Sequence, residues 1–306
     1  MTETASASAS VRIPPVAVVA VSLTMIFWSG TVVANRAALE SFDGLTAGAF
    51  RSMLAGLLAL AIARLCRLPF PKTRRDRTLL VVSGWLNFAI WPVVLSVGIA
   101  LANASYAALI MALLPVTTGL IAAITNRVRP KGGWWLGAAI ALAGTLVLIA
   151  FTQPTGDLTL LQTYLIGDLL IMAGVILCSA GYVAGANLAP AVGSWSSTCH
   201  GLAVALLLLV PVMLVLASQT NWSAVTTDSW LSIGWMAIFS SLFGYALWFL
   251  AMDRAGIARI AVFQFLQPVL SAIAAALVLG EQITVTIVFS GALILLGTWI
   301  AQKHAH

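Results

Sequence analysis

The chain consists of long apolar stretches separated by short polar connections. Each stretch is about 20 residues long, the length that an α-helix needs to cross the hydrocarbon layer of a bilayer. The stretches do not alternate apolar and polar positions as the strands of a membrane barrel would, and the run from Leu202 to Val210 is apolar throughout. The pattern predicts an all-α integral membrane protein with ten transmembrane helices, near residues 14–34, 45–65, 78–98, 103–124, 133–151, 164–186, 196–217, 229–251, 257–279 and 283–301.

The second half of the chain repeats landmarks of the first half. One offset of 153 residues separates Pro115 from Pro268 and Gly144 from Gly297, and 153 is half of the 306 residues. Five spans per copy is an odd number, so the second copy enters the membrane in the opposite orientation. We predict one membrane domain of two inverted five-helix repeats around a central cavity. Its parts are a cytoplasmic tail over 1–13, a first repeat over 14–153 and a second repeat over 154–306.

Composition and charge agree with a membrane location. Hydrophobic residues make up 61% of the chain and charged residues only 8%, against about a quarter charged in soluble domains. Cytoplasmic loops of membrane proteins are enriched in Lys and Arg. If the N-terminus is placed inside, 13 of the 15 basic residues fall on the cytoplasmic side. We therefore predict a multi-pass protein of the bacterial inner membrane with both termini cytoplasmic. The net charge of +6 is then explained by the basic residues of the cytoplasmic loops, and no nucleic-acid partner is expected.

The sequence lacks the motifs of the common energised or catalytic membrane proteins. It contains no phosphate-binding loop, paired-histidine motif or nucleophile elbow, and its three cysteines are scattered singly. We expect no enzymatic activity, no cofactor and no metal. The expected partners are a small-molecule substrate and the lipid bilayer, in a monomer or weak homodimer. A channel or a membrane enzyme stays open as an alternative, and a channel would show currents or flux that does not saturate.

Pro115 and Pro268 fall near the middle of the fourth and ninth spans. Proline removes one helical hydrogen bond and clashes with the preceding turn, so each helix is expected to kink or break there. One interpretation is a static kink, which membrane helices tolerate. The other is a pair of hinges at equivalent places, which would let one bundle rock against the other during alternating access.

Polar and aromatic side chains at mid-membrane depth are the candidates for a substrate site. Amides and hydroxyls are costly in hydrocarbon unless they face partners or water, so they are expected to point into the bundle. Each residue taken alone is also compatible with interhelical packing, but the set as a whole describes a pocket for a small molecule with apolar and zwitterionic parts. The predicted substrate-binding residues are Trp28, Asn87, Trp91, Tyr106, Met111, Tyr182, Tyr245, Trp248, Gln264 and Gln267.

Two ionisable residues lie inside predicted spans. Arg51 is in the second span and Asp168 in the sixth, at a similar depth near the outer face. Snorkelling of the side chains to the interface, or mutual pairing, would explain both without a role in transport. Alternatively, they shape the outer mouth of the cavity or take part in a proton-coupling step, because intramembrane charges are often functional.

Several local sequences, in this order along the chain, resemble one transporter family. They are Phe27-Trp28-Ser29-Gly30 in the first span, Leu114-Pro115 in the fourth, Gln267-Pro268-Val269 followed by Gly280-Glu281 around the ninth, and Gly291 to Gly297 in the tenth. The chain resembles the EamA-type transporters of the drug/metabolite transporter superfamily over essentially its whole length. Within them it is similar to the bacterial aromatic amino acid exporters.

The resemblance implies a basket-like bundle that exports amino acids or related metabolites through a central cavity. The cavity would be lined by spans one, three, four, six, eight and nine, which supports Trp28 and the helix faces around Pro115 and Pro268. The small multidrug members of the superfamily carry a glutamate in the middle of span one, and no acid lies between Arg12 and Arg36 here. We therefore do not expect proton coupling through a glutamate of span one, and we expect facilitated export or coupling through a different group.

These observations lead to one expected function and one alternative. The expected function is export of neutral or aromatic amino acids across the plasma membrane by alternating access. The alternative is a broad-specificity drug or organic-cation exporter. A carrier of anionic nucleotide sugars is disfavoured, because Arg51 is the only basic residue at mid-membrane depth in the predicted spans.

Overall fold

The computed structural model describes residues 13–102, 104–125, 132–152, 158–255, 260, 262–280 and 282–304. Most of the predicted tail over 1–13, and the predicted junction between the repeats near residue 153, lie outside these residues. The side chains of Tyr106 and Pro268 also lie outside the described part of the chain.

Within the described residues every regular element is helical. The α-helices are α1 (Pro15–Ala38), α2 (Gly44–Leu65), α3 (Arg74–Ser83), α4 (Trp91–Leu101), α5 (Ala104–Met111), α6 (Leu114–Thr125), α7 (Gly132–Thr152), α8 (Leu158–Val192), α9 (Ser194–Gln219), α10 (Thr227–Trp235), α11 (Gly244–Ala255), α12 (Leu266–Leu279) and α13 (Val285–Lys303). Two π-helical segments, Gly84–Ile90 and Met236–Phe243, continue α3 into α4 and α10 into α11, and a 3-10 turn at Val262–Phe265 leads into α12.

Many of these segments have the length and composition of membrane spans. Among the described residues, six helical segments are long and apolar enough to cross a bilayer, namely Pro15–Ala38, Gly44–Leu65, Arg74–Leu101, Gln162–Val192, Ser194–Gln219 and Thr227–Ala255. Shorter apolar helices occupy Leu109–Thr125, Gly132–Gly144 and Val285–Ala301. The predicted class, an all-α membrane protein, is confirmed by the length and composition of these helices.

The distribution of side chains is the reverse of that in a soluble protein. Large apolar residues face outward, and the exposed fraction reaches 81% for Leu277 and 72% for Leu214. Polar residues such as Asn35, Ser96 and Asn87 are fully buried. Because apolar surface avoids water and unpaired polar groups avoid hydrocarbon, this arrangement suits a bundle surrounded by lipid.

Two helices begin with the same cap in the two halves of the chain. The Thr73 hydroxyl accepts a hydrogen bond from the Asp76 backbone N at 3.0 Å at the start of α3. At the start of α10, the Thr226 hydroxyl accepts from the Ser229 backbone N at 3.2 Å. A cap of this kind satisfies a backbone donor that the first turn leaves free. Thr73 and Thr226 are 153 residues apart, so the repeat extends to helix starts and to the π-helical segments that follow.

Helix packing follows a reciprocal pattern between the halves. Helix α1 packs against α11 and α12, while α8, which opens the second half, packs against α4 and α6. Helix α2 packs along α9, and α7 along α13. Each of these last two pairs joins corresponding helices of the two halves.

The α7–α13 pair is antiparallel and unusually close. A Cβ on Gly133 would meet His304, and a Cβ on Gly144 would meet Ile294, so the two helices run in opposite directions. A Cβ on Gly297 would lie 2.3 Å from the backbone N of Ala141. Small residues therefore let the two backbones touch, as in many membrane helix pairs.

Candidate substrate cavity

Four aromatic rings meet at the centre of the bundle. The Trp28 indole lies nearly parallel to the Tyr182 ring, with a centroid distance of 5.9 Å and an interplanar angle of 7°. Trp28 also contacts Tyr245 at 5.2 Å and Trp248 at 5.3 Å. Tyr182 contacts the same two rings at 5.9 and 6.1 Å. Because Trp28 belongs to α1 and the other three residues to α8 and α11, the cluster joins the two halves of the chain.

Each π-helical segment offers a backbone carbonyl to one ring of this cluster. The Tyr245 hydroxyl donates to the carbonyl oxygen of Asn87 at 3.4 Å. The Trp28 Nε1 donates to the carbonyl oxygen of Ser240 at 3.0 Å. A π-helical turn departs from the regular α-helical hydrogen-bond ladder and is frequent at functional sites. Asn87 and Ser240 are 153 residues apart, so equivalent carbonyls of the two halves each hold a ring of the opposite half.

Small and hydroxylated residues fix the Trp28 indole in this position. A Cβ on Gly244 would lie 2.6 Å from the Trp28 Nε1, so glycine leaves the space that the indole fills. The Thr31 and Ser240 hydroxyls are 2.5 Å apart, which ties α1 to the second π-helical segment. The exposed fraction of Trp28 is only 5%, and its single polar atom is satisfied, as a buried indole requires.

A small cavity of about 30 Å³ lies beside these rings. A water molecule needs about 10–15 Å³ of such space, so the cavity holds about two waters. Its wall combines aromatic rings, hydroxyls, one amide and one guanidinium. The lining residues are Trp28, Thr31, Arg51, Trp91, Pro92, Leu95, Met111, Tyr182, Ser240, Ser241, Tyr245 and Gln267.

The cavity brings together many of the residues that the sequence singles out. The predicted substrate-binding residues that line it are Trp28, Trp91, Met111, Tyr182, Tyr245 and Gln267. Trp248 is fully buried and supports the cavity from behind, through its contacts with Trp28 and Tyr182.

Asn87 and Gln264 are buried but are not among the described lining residues. The Asn87 Nδ2 donates to the Ser83 hydroxyl at 3.3 Å, and its backbone carbonyl receives the Tyr245 hydroxyl. Gln264 lies in the 3-10 turn before α12, whereas Gln267 is in the first turn of α12. Tyr106 was predicted in the same set, and its side chain lies outside the described part of the chain.

The two predicted hinge prolines occupy similar positions in their helices. Helix α5 ends at Met111 and α6 starts at Leu114, so Pro115 is the second residue of a new helix. Pro268 is the third residue of α12, directly after the 3-10 turn. Proline lacks the backbone N–H that first-turn residues leave unbonded in any case, so it is well suited to both positions. Each proline therefore follows a break in its predicted span.

Arg51 lines the cavity and is deeply buried, with an exposed fraction of 3%. This burial excludes snorkelling of its guanidinium to the surface. Its Nη1 donates to the Met236 Sδ at 3.1 Å, and its Nε has no hydrogen-bond partner within the described part of the chain. Asp168 is buried in α8 but is not among the described lining residues. The described contacts of Arg51 do not include Asp168.

Sequence reasoning missed the hydroxyl side of the cavity. Thr31, Ser240 and Ser241 line it, and short hydroxyl side chains in apolar helices are common enough to carry no signal alone. The repeat offset supplies the missing signal for Ser240, because Ser240 is the counterpart of Asn87.

A second aromatic cluster covers one end of the bundle. We call Phe42, Phe50, Trp222 and Trp230 the end cluster. Within it, Phe50 lies 5.5 Å from Trp222 and 5.8 Å from Trp230, and the two indoles are 6.0 Å apart. Phe42 contacts the other three rings at 6.0 to 6.2 Å. Phe50 directly precedes Arg51 in α2, so one member of the end cluster is joined to the cavity by the backbone of that helix.

Several known proteins match this chain over most of its length. The chain is 27% identical to the uncharacterized transporter YdeK of Bacillus subtilis over 85% of this chain and 87% of that protein. It is 22% identical to an uncharacterized transporter of Archaeoglobus fulgidus over 93% of this chain and 98% of that protein. A chain of known crystal structure, 19% identical, shares the fold with a TM-score of 0.65, and the match covers 93% of this chain and 96% of that chain.

The family comparison matches the chain twice. The EamA-like transporter family matches residues 15–150 and again residues 165–301, so both halves of the chain carry the family pattern. Together with the helical membrane bundle, these matches identify the chain as a multi-pass membrane protein that belongs to the EamA-like transporter family.

Proposed function

We propose that this protein exports neutral and aromatic amino acids and related metabolites across the bacterial plasma membrane by alternating access. The observation that carries the proposal is the cavity between the helices, which is lined by aromatic rings from both halves of the chain. Rings and neutral polar groups suit a ligand with an apolar side chain and a polar backbone. The family relationship supports transport as the activity, and the resemblance to aromatic amino acid exporters supports the substrate class.

The architecture that we propose is ten spans in two inverted repeats. The twofold family match, the antiparallel α7–α13 pair and the reciprocal packing of α1 and α8 support it. The equivalent carbonyls of Asn87 and Ser240 support it further, since each holds a ring of the opposite half. The positive-inside distribution of Lys and Arg supports cytoplasmic termini.

Transport requires the cavity to expand. Sites for small molecules enclose on the order of 300 Å³ or more, whereas this cavity has about 30 Å³. The aromatic rings therefore fill the space that a substrate would occupy. We propose that the helix breaks before Pro115 and Pro268 act as hinges, so that α6 and α12 swing and the rings separate toward one side at a time.

A transport assay with a matched pair of variants tests the substrate site. Trp91 lines the cavity, whereas Trp135 in α7 is 55% exposed and does not. In proteoliposomes, we expect saturable flux of radiolabelled L-tryptophan and L-phenylalanine by the wild type. Trp91→Phe reduces the contact area, so KM is expected to rise at least about fivefold, for a loss of about 1 kcal/mol or more. Trp135→Phe should leave KM unchanged.

Two results would contradict the proposal. Equal KM values for both variants would place the substrate away from this cavity. Flux that rises linearly with concentration would indicate a channel instead of a transporter.

A further inference from the structure

We propose that Arg51 binds the carboxylate of the transported substrate, so that a substrate must carry an anionic group next to its apolar part. The inference rests on the proposed function, because it assigns a role within the same cavity. It narrows the substrate class to zwitterions and organic anions and excludes organic cations.

The first argument is the unmet hydrogen-bonding capacity of a buried charge. A guanidinium carries five N–H donors and no acceptor, and it stays protonated in proteins. In this structure Arg51 is 3% exposed. Its described hydrogen bond is that from Nη1 to the Met236 Sδ at 3.1 Å, and thioether sulfur is a weak acceptor. The buried Nε has no hydrogen-bond partner among the residues that the structure describes. Donors of this kind are costly unless something binds them.

The second argument is the charge of the cavity wall. Among the described residues that line the cavity, Arg51 is the only cation and there is no carboxylate. The hydroxyls of Thr31, Ser240 and Ser241 and the amide of Gln267 are neutral. A carboxylate that enters the cavity would therefore meet one uncompensated positive charge in a poorly screened environment. Two parallel hydrogen bonds from an arginine to a carboxylate also fix the orientation of the ligand.

The third argument concerns the other end of an amino acid. The ammonium group finds no negative side chain among the described lining residues, and the available partners are aromatic faces and neutral oxygens. Cations bind to the faces of Trp and Tyr with modest energy when they are desolvated. The carboxylate is therefore the dominant polar determinant, and removal of the amine is tolerated better than removal of the carboxylate.

Three ligands that share the indole ring separate the contribution of the carboxylate from that of the amine. L-tryptophan is a zwitterion, indole-3-propionate is an anion and tryptamine is a cation. We expect L-tryptophan and indole-3-propionate to be transported by the wild-type protein in proteoliposomes, and both to compete for one site. Tryptamine is expected to be transported poorly and to compete at least about tenfold more weakly, since bonds to charged groups are the strong ones.

Variants of Arg51 then test the residue itself. Arg51→Gln should raise the KM of both carboxylate ligands at least about tenfold and leave the weak competition by tryptamine unchanged or stronger. Arg51→Lys keeps the charge and should recover part of the affinity. Arg36→Gln is the matched control, because Arg36 at the end of α1 does not line this cavity; it should behave as the wild type. Thermal unfolding of each variant checks the fold, and the ligand series on the wild type requires no variant.

The outcomes distinguish this inference from the proposed function. If L-tryptophan is transported but tryptamine competes equally well and Arg51→Gln leaves KM unchanged, the carboxylate site is refuted and amino acid export stands. If tryptamine is transported and neither carboxylate ligand is, both proposals fail. If none of the three ligands is transported, the proposed substrate class fails and the carboxylate site fails with it.

Discussion

Replacing Gly244 by alanine tests how the central indole is held. A Cβ at this position would lie 2.6 Å from the Trp28 Nε1 and 3.0 Å from the Phe239 carbonyl oxygen. Both distances are shorter than ordinary contacts, and the carbonyl belongs to the backbone of the second π-helical segment. The indole therefore has to move, and it loses the 3.0 Å hydrogen bond to the Ser240 carbonyl.

The expected cost follows from two effects and one compensation. Loss of a buried hydrogen bond costs about 1–3 kcal/mol, and overpacking costs about 1–3 kcal/mol more. Alanine regains up to about 1 kcal/mol over glycine in a helix. The net expectation for Gly244→Ala is a destabilisation of about 1–5 kcal/mol. Because Trp28 lines the cavity, KM for the transported amino acid should rise as well.

Gly234 provides a control in the same helical segment. Gly234→Ala introduces the same methyl group in α10, where no atom of the described residues lies within 4 Å of the new Cβ. It should keep or slightly raise the stability, by up to about 1 kcal/mol. Thermal unfolding in detergent, followed by size-exclusion chromatography, compares the two variants, and proteoliposome flux supplies KM. Wild-type stability and wild-type KM for Gly244→Ala would refute the placement of Trp28 against the second π-helical segment.

Two further substitutions test the helix contact between the halves and the other carbonyl. Gly297→Ala places a Cβ 2.3 Å from the Ala141 backbone N, which cannot rotate away. Because α7 and α13 must then separate, we expect the folding stability to fall by about 3 kcal/mol or more. The measurement is the yield of monodisperse protein after purification, which should drop. A wild-type yield would contradict the close helix pair. Tyr245→Phe keeps the ring but removes the hydrogen bond to the Asn87 carbonyl. The folding stability should fall by about 1 kcal/mol and KM should rise a few-fold. Unchanged stability and KM would show that this hydrogen bond is not formed.

The helical membrane class was predictable because it depends on the length and the apolar character of the segments. Segments of about 20 apolar residues have few alternatives in lipid, since every backbone group must be bonded within the segment. The inward direction of Trp28, Tyr182 and Gln267 follows from the same argument, because their polar atoms need partners. The structure confirms that these residues are buried inside the bundle.

The two π-helical segments could not be predicted from the residues that form them. The segment Gly84–Ile90 consists of ordinary helix-compatible and apolar residues, and its geometry depends on packing against other helices. Once Asn87 is known to present its carbonyl, however, the 153-residue offset points to Ser240. A repeat in the sequence thus transfers a local structural feature that local propensity does not reveal.

The role of Arg51 required the structure for a different reason. Helix α2 is apolar on most of its surface, so its periodicity does not indicate which face is buried. Depth alone left snorkelling, pairing with Asp168, a place at the mouth and a proton-coupling step open. The side chain is buried at a cavity that Trp28, Trp91 and Tyr245 also line, which removes the first interpretation and supports the carboxylate site that we propose.

The small volume of the cavity gives Arg51 a second consequence for the transport cycle. In the compact state the guanidinium is desolvated, and its Nε has no hydrogen-bond partner among the described residues, which raises the free energy of this state relative to one in which water or a carboxylate reaches the charge. An empty protein should therefore tend to open. Phe50, the neighbour of Arg51 in the chain, contacts Trp222 and Trp230 in the end cluster, so an opening that moves the start of α2 would have to break these ring contacts. The opening that we propose would then depend on the balance between the desolvation of Arg51 and these ring contacts.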